Sequence, residues 1–126
     1  MSIDVVEASA VHPVVVVAQG ELDVADESLQ KILLDVVATE RQVVVDLLNV
    51  TFIDSSVVGA LVLAHRRAGE RGGWLRVVYT HHGIRRVVEI CGLAELLPQY
   101  TSVAAAVRGV RSTVHEAGAR DGRPGQ

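Results

Sequence analysis

The sequence predicts an α/β fold: a mixed sheet of four or five strands, mostly parallel with an antiparallel N-terminal edge, and about four helices. Strand-like and helix-like segments alternate after the first pair of strands, which imposes parallel strands joined by right-handed crossovers. Several strands are unbroken valine-rich runs, as expected of strands covered on both faces. The first two strands are joined too closely for a crossover and must form a hairpin.

The hairpin is expected from residues 3–8 and 12–19, with residues 20–23 (GELD) closing the second strand as a turn. A helix comes next, from about Asp26. Leu29, Ile32, Leu33, Val36 and Val37 recur at helical spacing, and Asp26 and Glu27 suit the first turn electrostatically. Residues 42–48 (QVVVDLL) form the next buried strand, and residues 49–54 read as a loop. A second helix runs over residues 56–71, with Val57, Val58, Leu61, Val62 and Ala68 inward and Arg66, Arg67, Glu70 and Arg71 outward; Gly72-Gly73 stops it. Residues 74–80 make a fourth strand. A third helix over 83–91 buries Ile84, Val87, Val88 and Cys91, and residues 96–100 add a short strand. A last helix spans 102–116, with Val103, Ala106, Val107, Val110 and Val114 on one face. Residues 1–117 form one domain, and residues 118–126 (GARDGRPGQ) are expected to be a disordered tail.

Composition removes several classes of function. Hydrophobic residues make up 49% of 126, enough for a folded core, and aromatics only 3%, so that core is aliphatic. The net charge is −3 and no basic stripe alternates with aromatics, which argues against direct nucleic-acid binding. A single cysteine excludes an internal disulfide and a cysteine-based zinc site; on its apolar helix face, Cys91 reads as a small buried hydrophobe. The N-terminus carries an acid where a secretion signal carries bases, and the longest apolar stretch, residues 57–64, is far short of the ~20 residues of a membrane span. A cytoplasmic protein without membrane contact is expected.

The segment that can carry chemistry is residues 51–59 (TFIDSSVVG). It lies where a parallel strand ends and a helix begins, the edge at which open α/β sheets meet ligands and partners. Helix starts have free N–H groups and partial positive charge. One of Asp54, Ser55 or Ser56 is needed as N-cap. One cap takes one side chain, so surplus hydroxyls are left at an exposed helix start. Other candidates are weaker. His81-His82 point in different directions on a helix and read as a solvated turn; His65 sits at a packing boundary. Ser55 lacks the G-x-S-x-G setting of a hydrolase nucleophile, and Gly69 and Gly72-Gly73 lack the lysine of a phosphate loop. No enzyme activity, metal or cofactor is expected.

With these residues in view, the chain resembles the STAS domain of bacterial anti-sigma factor antagonists. The resemblance is carried by GELD at 20–23, VVVDLLNVTFIDSS at 43–56 and ICGL at 90–93, and covers roughly residues 3–115. It implies a binding module that captures an anti-sigma factor and so frees a sigma factor. The anti-sigma factor of such systems is a serine kinase of the histidine-kinase-like ATPase fold, and a metal-dependent serine phosphatase resets the switch. The phosphorylated serine corresponds to Ser55, with Asp54, Asp23 and Ser56 on the contact surface. The family pattern continues with Gly where this chain has Val57, a side chain expected to affect partner choice at that surface. The alternative is a STAS scaffold that is never phosphorylated, an accessory subunit of a transport or stress-sensing complex. A monomer or weak dimer is expected.

Overall fold

The computed structural model describes residues 2–7, 13–22 and 28–112. The elements are β1 (Ser2–Glu7), β2 (Val14–Leu22), α1 (Ser28–Thr39), β3 (Gln42–Ile53), α2 (Ser55–Glu70), β4 (Trp74–Val78), α3 (His82–Ile90), β5 (Gln99–Tyr100) and α4 (Val103–Arg108). The strands form one sheet in the order β1-β2-β3-β4-β5, with β1 antiparallel to β2 and every other pair parallel. The predicted mixed sheet is therefore present, with five strands. Asp23, Asp26 and Glu27 and the stretch 113–126, including Val114 and the expected tail, lie outside the described residues.

This strand order dictates where the helices go. Parallel strands laid down in sequence, each joined by a right-handed crossover, send every connecting helix to the same face. Leu29, Leu33 and Val37 of α1, Val57, Val58, Leu61, Ala64 and Ala68 of α2, and Ile84 and Val88 of α3 accordingly share one core with Val16, Val43, Val45 and Val77 of the sheet. Among the described residues, the opposite face has only α4, which packs Ala106 against Val44, Val78 and Tyr100. Val43, Val44 and Val45 are all fully buried, so this part of β3 is covered on both sides, as its apolar run demands.

The fourth strand ends at Val78 and the short fifth strand is only Gln99–Tyr100, both shorter than expected; three further boundaries differ for a physical reason. The β2 strand does not turn at GELD but runs on to Leu22, and β3 runs on through residues 49–53 in place of a loop. The two extensions pair with each other: Gly20 lies opposite Val50, Glu21 opposite Phe52 and Leu22 opposite Ile53. Gly20, at φ 92°, takes up the register shift beside it, a conformation costly for any other residue. The last helix ends at Arg108, well before residue 116. Gly109 at φ 73° closes it, with Val110 N–H donating to the Ala105 carbonyl. Val110 is consequently 54% exposed and not on the buried face.

Cys91 is exposed, against the expectation of a buried thiol. The chain leaves α3 through paired bonds, from Leu93 N–H to the Val88 carbonyl and from Gly92 N–H to the Glu89 carbonyl. That turn folds Leu93, not Cys91, back onto the core.

The β4–β5 end is tied together by polar bonds in apolar surroundings. The Tyr79 hydroxyl donates to the Leu97 carbonyl at 2.8 Å, and Gln99 Nε2 donates to the Tyr79 carbonyl at 2.8 Å. Arg76 lies 3.8 Å over the Trp74 ring and donates to the Ala106 carbonyl at 2.8 Å, clamping α4 to the sheet. Burial pushes the Tyr79 pKa from 10.0 up to about 12; Glu89 adds to the shift and Arg85 opposes it. The folded state thus holds the phenol proton longer than the unfolded chain does. The associated stability is intact below pH 10 and is lost as pH rises through about 12. Tyr79→Phe is expected to cost about 1 kcal/mol at neutral pH through the lost hydrogen bond, and to flatten the alkaline decline. Urea unfolding of both proteins at pH 8 and pH 11 measures both effects.

Candidate functional site

At the end of β3, Val50 and Ile53 are buried while Phe52 is 48% exposed. Asp54 then breaks the strand in extended conformation and serves as the N-cap of α2. Its Oδ1 accepts from the backbone N–H of Ser56 at 3.0 Å and of Val57 at 3.1 Å, and from the Ser56 hydroxyl at 2.6 Å. One carboxylate oxygen therefore satisfies two of the free N–H groups of the helix start, and its charge suits the helix dipole.

This geometry separates the two serines by their bonding, which the capping chemistry of the sequence left open. The Ser56 hydroxyl is spent on Asp54. Ser55, the first residue of α2, is exposed, and its hydroxyl makes no hydrogen bond among the described residues. An unbonded hydroxyl beside a carboxylate, at the mouth of a helix, can receive a covalent group without any backbone contact being broken.

Val57 does not lie where the sequence suggested. Its side chain is 4% exposed and packs in the main core, so what it offers the surface is backbone. Asp23 is outside the described residues, but Leu22 before it pairs with Ile53, one residue ahead of Asp54. The ends of β2 and β3 thus leave the sheet side by side. Phe52 is the surface residue that sequence reasoning missed. Its register opposite Glu21 is visible only once GELD is recognised as strand.

The remaining candidates fall elsewhere. His81 caps α3, its Nδ1 accepting from Gly83 N–H at 3.0 Å. His65 is half-buried, and its Nδ1 is buried without a hydrogen-bond partner. Among the described residues, no three His, Cys, Asp or Glu side chains converge as a metal site would require. A half-open cavity of about 580 Å³ is lined by Tyr79, Arg85, Glu89, Glu95 and Arg111 among others, and by none of Asp54, Ser55 or Ser56. No helix among the described residues is long and apolar enough to cross a membrane.

A small α/β module with an unencumbered hydroxyl at the start of its second helix is the class that fold and site define. The STAS domain family profile matches residues 2–106, and the chain belongs to that family. An anti-sigma F factor antagonist from Paenibacillus polymyxa is 27% identical over 84 residues, 64% of this chain and 72% of that one. The crystal structure of an anti-sigma factor antagonist from Mycobacterium paratuberculosis superposes with a TM-score of 0.74 at 27% identity, covering 88% of this chain and 96% of that one. The antagonist SpoIIAA in its unphosphorylated form gives a TM-score of 0.70 at 21% identity, covering 88% and 100%. The Bacillus SpoIIAA in its phosphorylated form gives 0.66 at 19%, covering 87% and 100%.

The cap makes a direct prediction. Asp54→Ala should lower stability by about 1 kcal/mol, since it strips the start of α2 of its acceptor. Ser55→Ala should stay within about 0.5 kcal/mol of the parent, because that hydroxyl holds nothing in place. Denaturant midpoints of the two variants check this.

Proposed function

We propose that this protein is an anti-sigma factor antagonist, a non-enzymatic binding module of the cytoplasm whose capture of an anti-sigma factor is ended by phosphorylation of Ser55. The observation that carries the reading is the contrast at the start of α2: Ser56 is held by Asp54, and Ser55 is exposed and unbonded. The relatives described as antagonists, from Paenibacillus polymyxa and Mycobacterium paratuberculosis, support the general role. SpoIIAA, which shares the fold, is described in both phosphorylated and unphosphorylated forms.

The partner is an anti-sigma factor that is itself a serine kinase of the histidine-kinase-like ATPase type. It transfers the γ-phosphoryl group of ATP to Ser55 Oγ; the hydroxyl proton is released and ADP departs. A serine phosphatase hydrolyses the ester and restores the hydroxyl. The contact surface comprises Asp54, Ser55, Ser56, the backbone at Val57 and the adjoining 20–23 segment with Asp23. The added group brings about −1.5 to −2 charges, which the helix N-terminus tolerates. Beside the Asp54 carboxylate in a close interface, the same charge is repelled and must be desolvated, so docking fails while the fold persists. The competing reading, an unphosphorylated scaffold, is favoured by Val57 only where that side chain stands at the surface. With that side chain in the core, Val57 lends it no support.

Incubation with ATP and each ATPase-fold serine kinase encoded in the source genome should add about 80 Da to the intact protein and to Ser56→Ala, but not to Ser55→Ala. Ser55→Ala should bind the kinase like the parent, and Ser55→Asp at least tenfold more weakly, about 1.4 kcal/mol. Equal affinities for the two variants would remove the switch.

A further inference from the structure

We propose that Phe52 is the apolar anchor of the contact with the anti-sigma factor, and that the partner meets it with an apolar pocket rimmed by basic side chains. The proposal rests on the reading of Ser55 as the switch and adds the chemistry of the surface around it.

The sheet face opposite α1, α2 and α3 is covered by α4 only around Val44, Val78 and Tyr100. Among the described residues nothing beyond α4 covers this face, which carries Phe52 at 48%, Leu48 at 37% and Val6 at 49% exposure. Phe52 is the only phenylalanine among four aromatic residues. Tyr79 and Tyr100 are buried, and Trp74 is half-buried beneath Arg76. Phe52 packs in neither core cluster, so the fold makes little use of it. Aromatic side chains exposed in this way are the ones enriched at the desolvated centres of protein interfaces.

Position ties Phe52 to the switch. Phe52 precedes Ser55 by three positions, so their Cα atoms lie within roughly 11 Å even at full extension. A standard interface covers about 800 Å² per partner, a disc of roughly 16 Å radius, which takes in both.

Charge specifies the partner. Residues 1–60 hold ten acids and two basic residues; residues 61–126 hold five acids and ten basic residues. No lysine or arginine occurs in β1, β2 or β3. Glu21 pairs with Phe52, Asp46 lies further down the same strand, and Asp54 comes two residues after it. The anchor therefore sits in an acidic field, and its complement is apolar at the centre and basic around it. A second copy of this chain, docking its own basic half, is the competing occupant.

The test uses the full chain and, as probes, the same ATPase-fold kinases, with affinity measured by calorimetry at two salt concentrations. Phe52→Thr and Phe52→Ala should each bind at least tenfold more weakly than the parent with unchanged unfolding midpoints. Glu21→Lys should bind several-fold more weakly and show a flatter salt dependence. If both Phe52 variants bind like the parent while Ser55→Asp does not, the anchor is overturned and the Ser55 reading stands. If Ser55→Asp and the Phe52 variants all bind like the parent, or the parent binds none of the kinases, both readings fall. If sedimentation shows self-association that Phe52→Thr abolishes while kinase binding is intact, the face belongs to a second copy and the proposal is overturned.

Discussion

The parallel pairing of β2 with β3 is the interaction on which the rest of the molecule depends. It continues past two register shifts to Leu22 and Ile53, whose side chains are sealed in the core. Because both strands end together, Leu22 and the start of α2 reach the same edge of the sheet. Burial of Ile53 also fixes the facing of its neighbours. With that side chain inward, the alternation of the strand puts Phe52 out, and Asp54 is placed to turn back on the helix. The site is thus a consequence of how one strand terminates, not of a separately built loop.

The second constraint is topological. A strand order that never reverses provides no switch-point crevice of the kind in which doubly wound sheets hold small ligands. What it provides is asymmetry: three helices crowded on one face and a short fourth helix on the other. A fold arranged like this suits contact with a surface better than enclosure of a small molecule.

Much of this is legible in the sequence. The valine runs, the hairpin, the helical spacing of Leu29, Leu33 and Val37, and the polar start of α2 all stem from local periodicity, and local periodicity survives folding. Expectation and structure part where tertiary pairing overrides local chemistry. Gly20, Glu21 and Asp23 have turn composition, yet a neighbouring strand recruits Gly20 to Leu22 into the sheet. Residues 49–53 become strand for the same reason. Cys91 and Val110 differ for another: each lies beside a glycine at which the chain reverses, and helical periodicity does not hold there. Which serine is unbonded could not be read at all, because Asp54, Ser55 and Ser56 are all competent caps and only coordinates show whose oxygen is used.

Cys91 has a consequence of its own. Helices of a parallel sheet run opposite to its strands, so α2 begins at one end of the domain and α3 finishes at the other. The one thiol of the chain is therefore exposed at the pole remote from Ser55. A fluorophore or a resin linked there would leave the Ser55 end pointing into solution, so the molecule can be immobilised in a single orientation without an added tag.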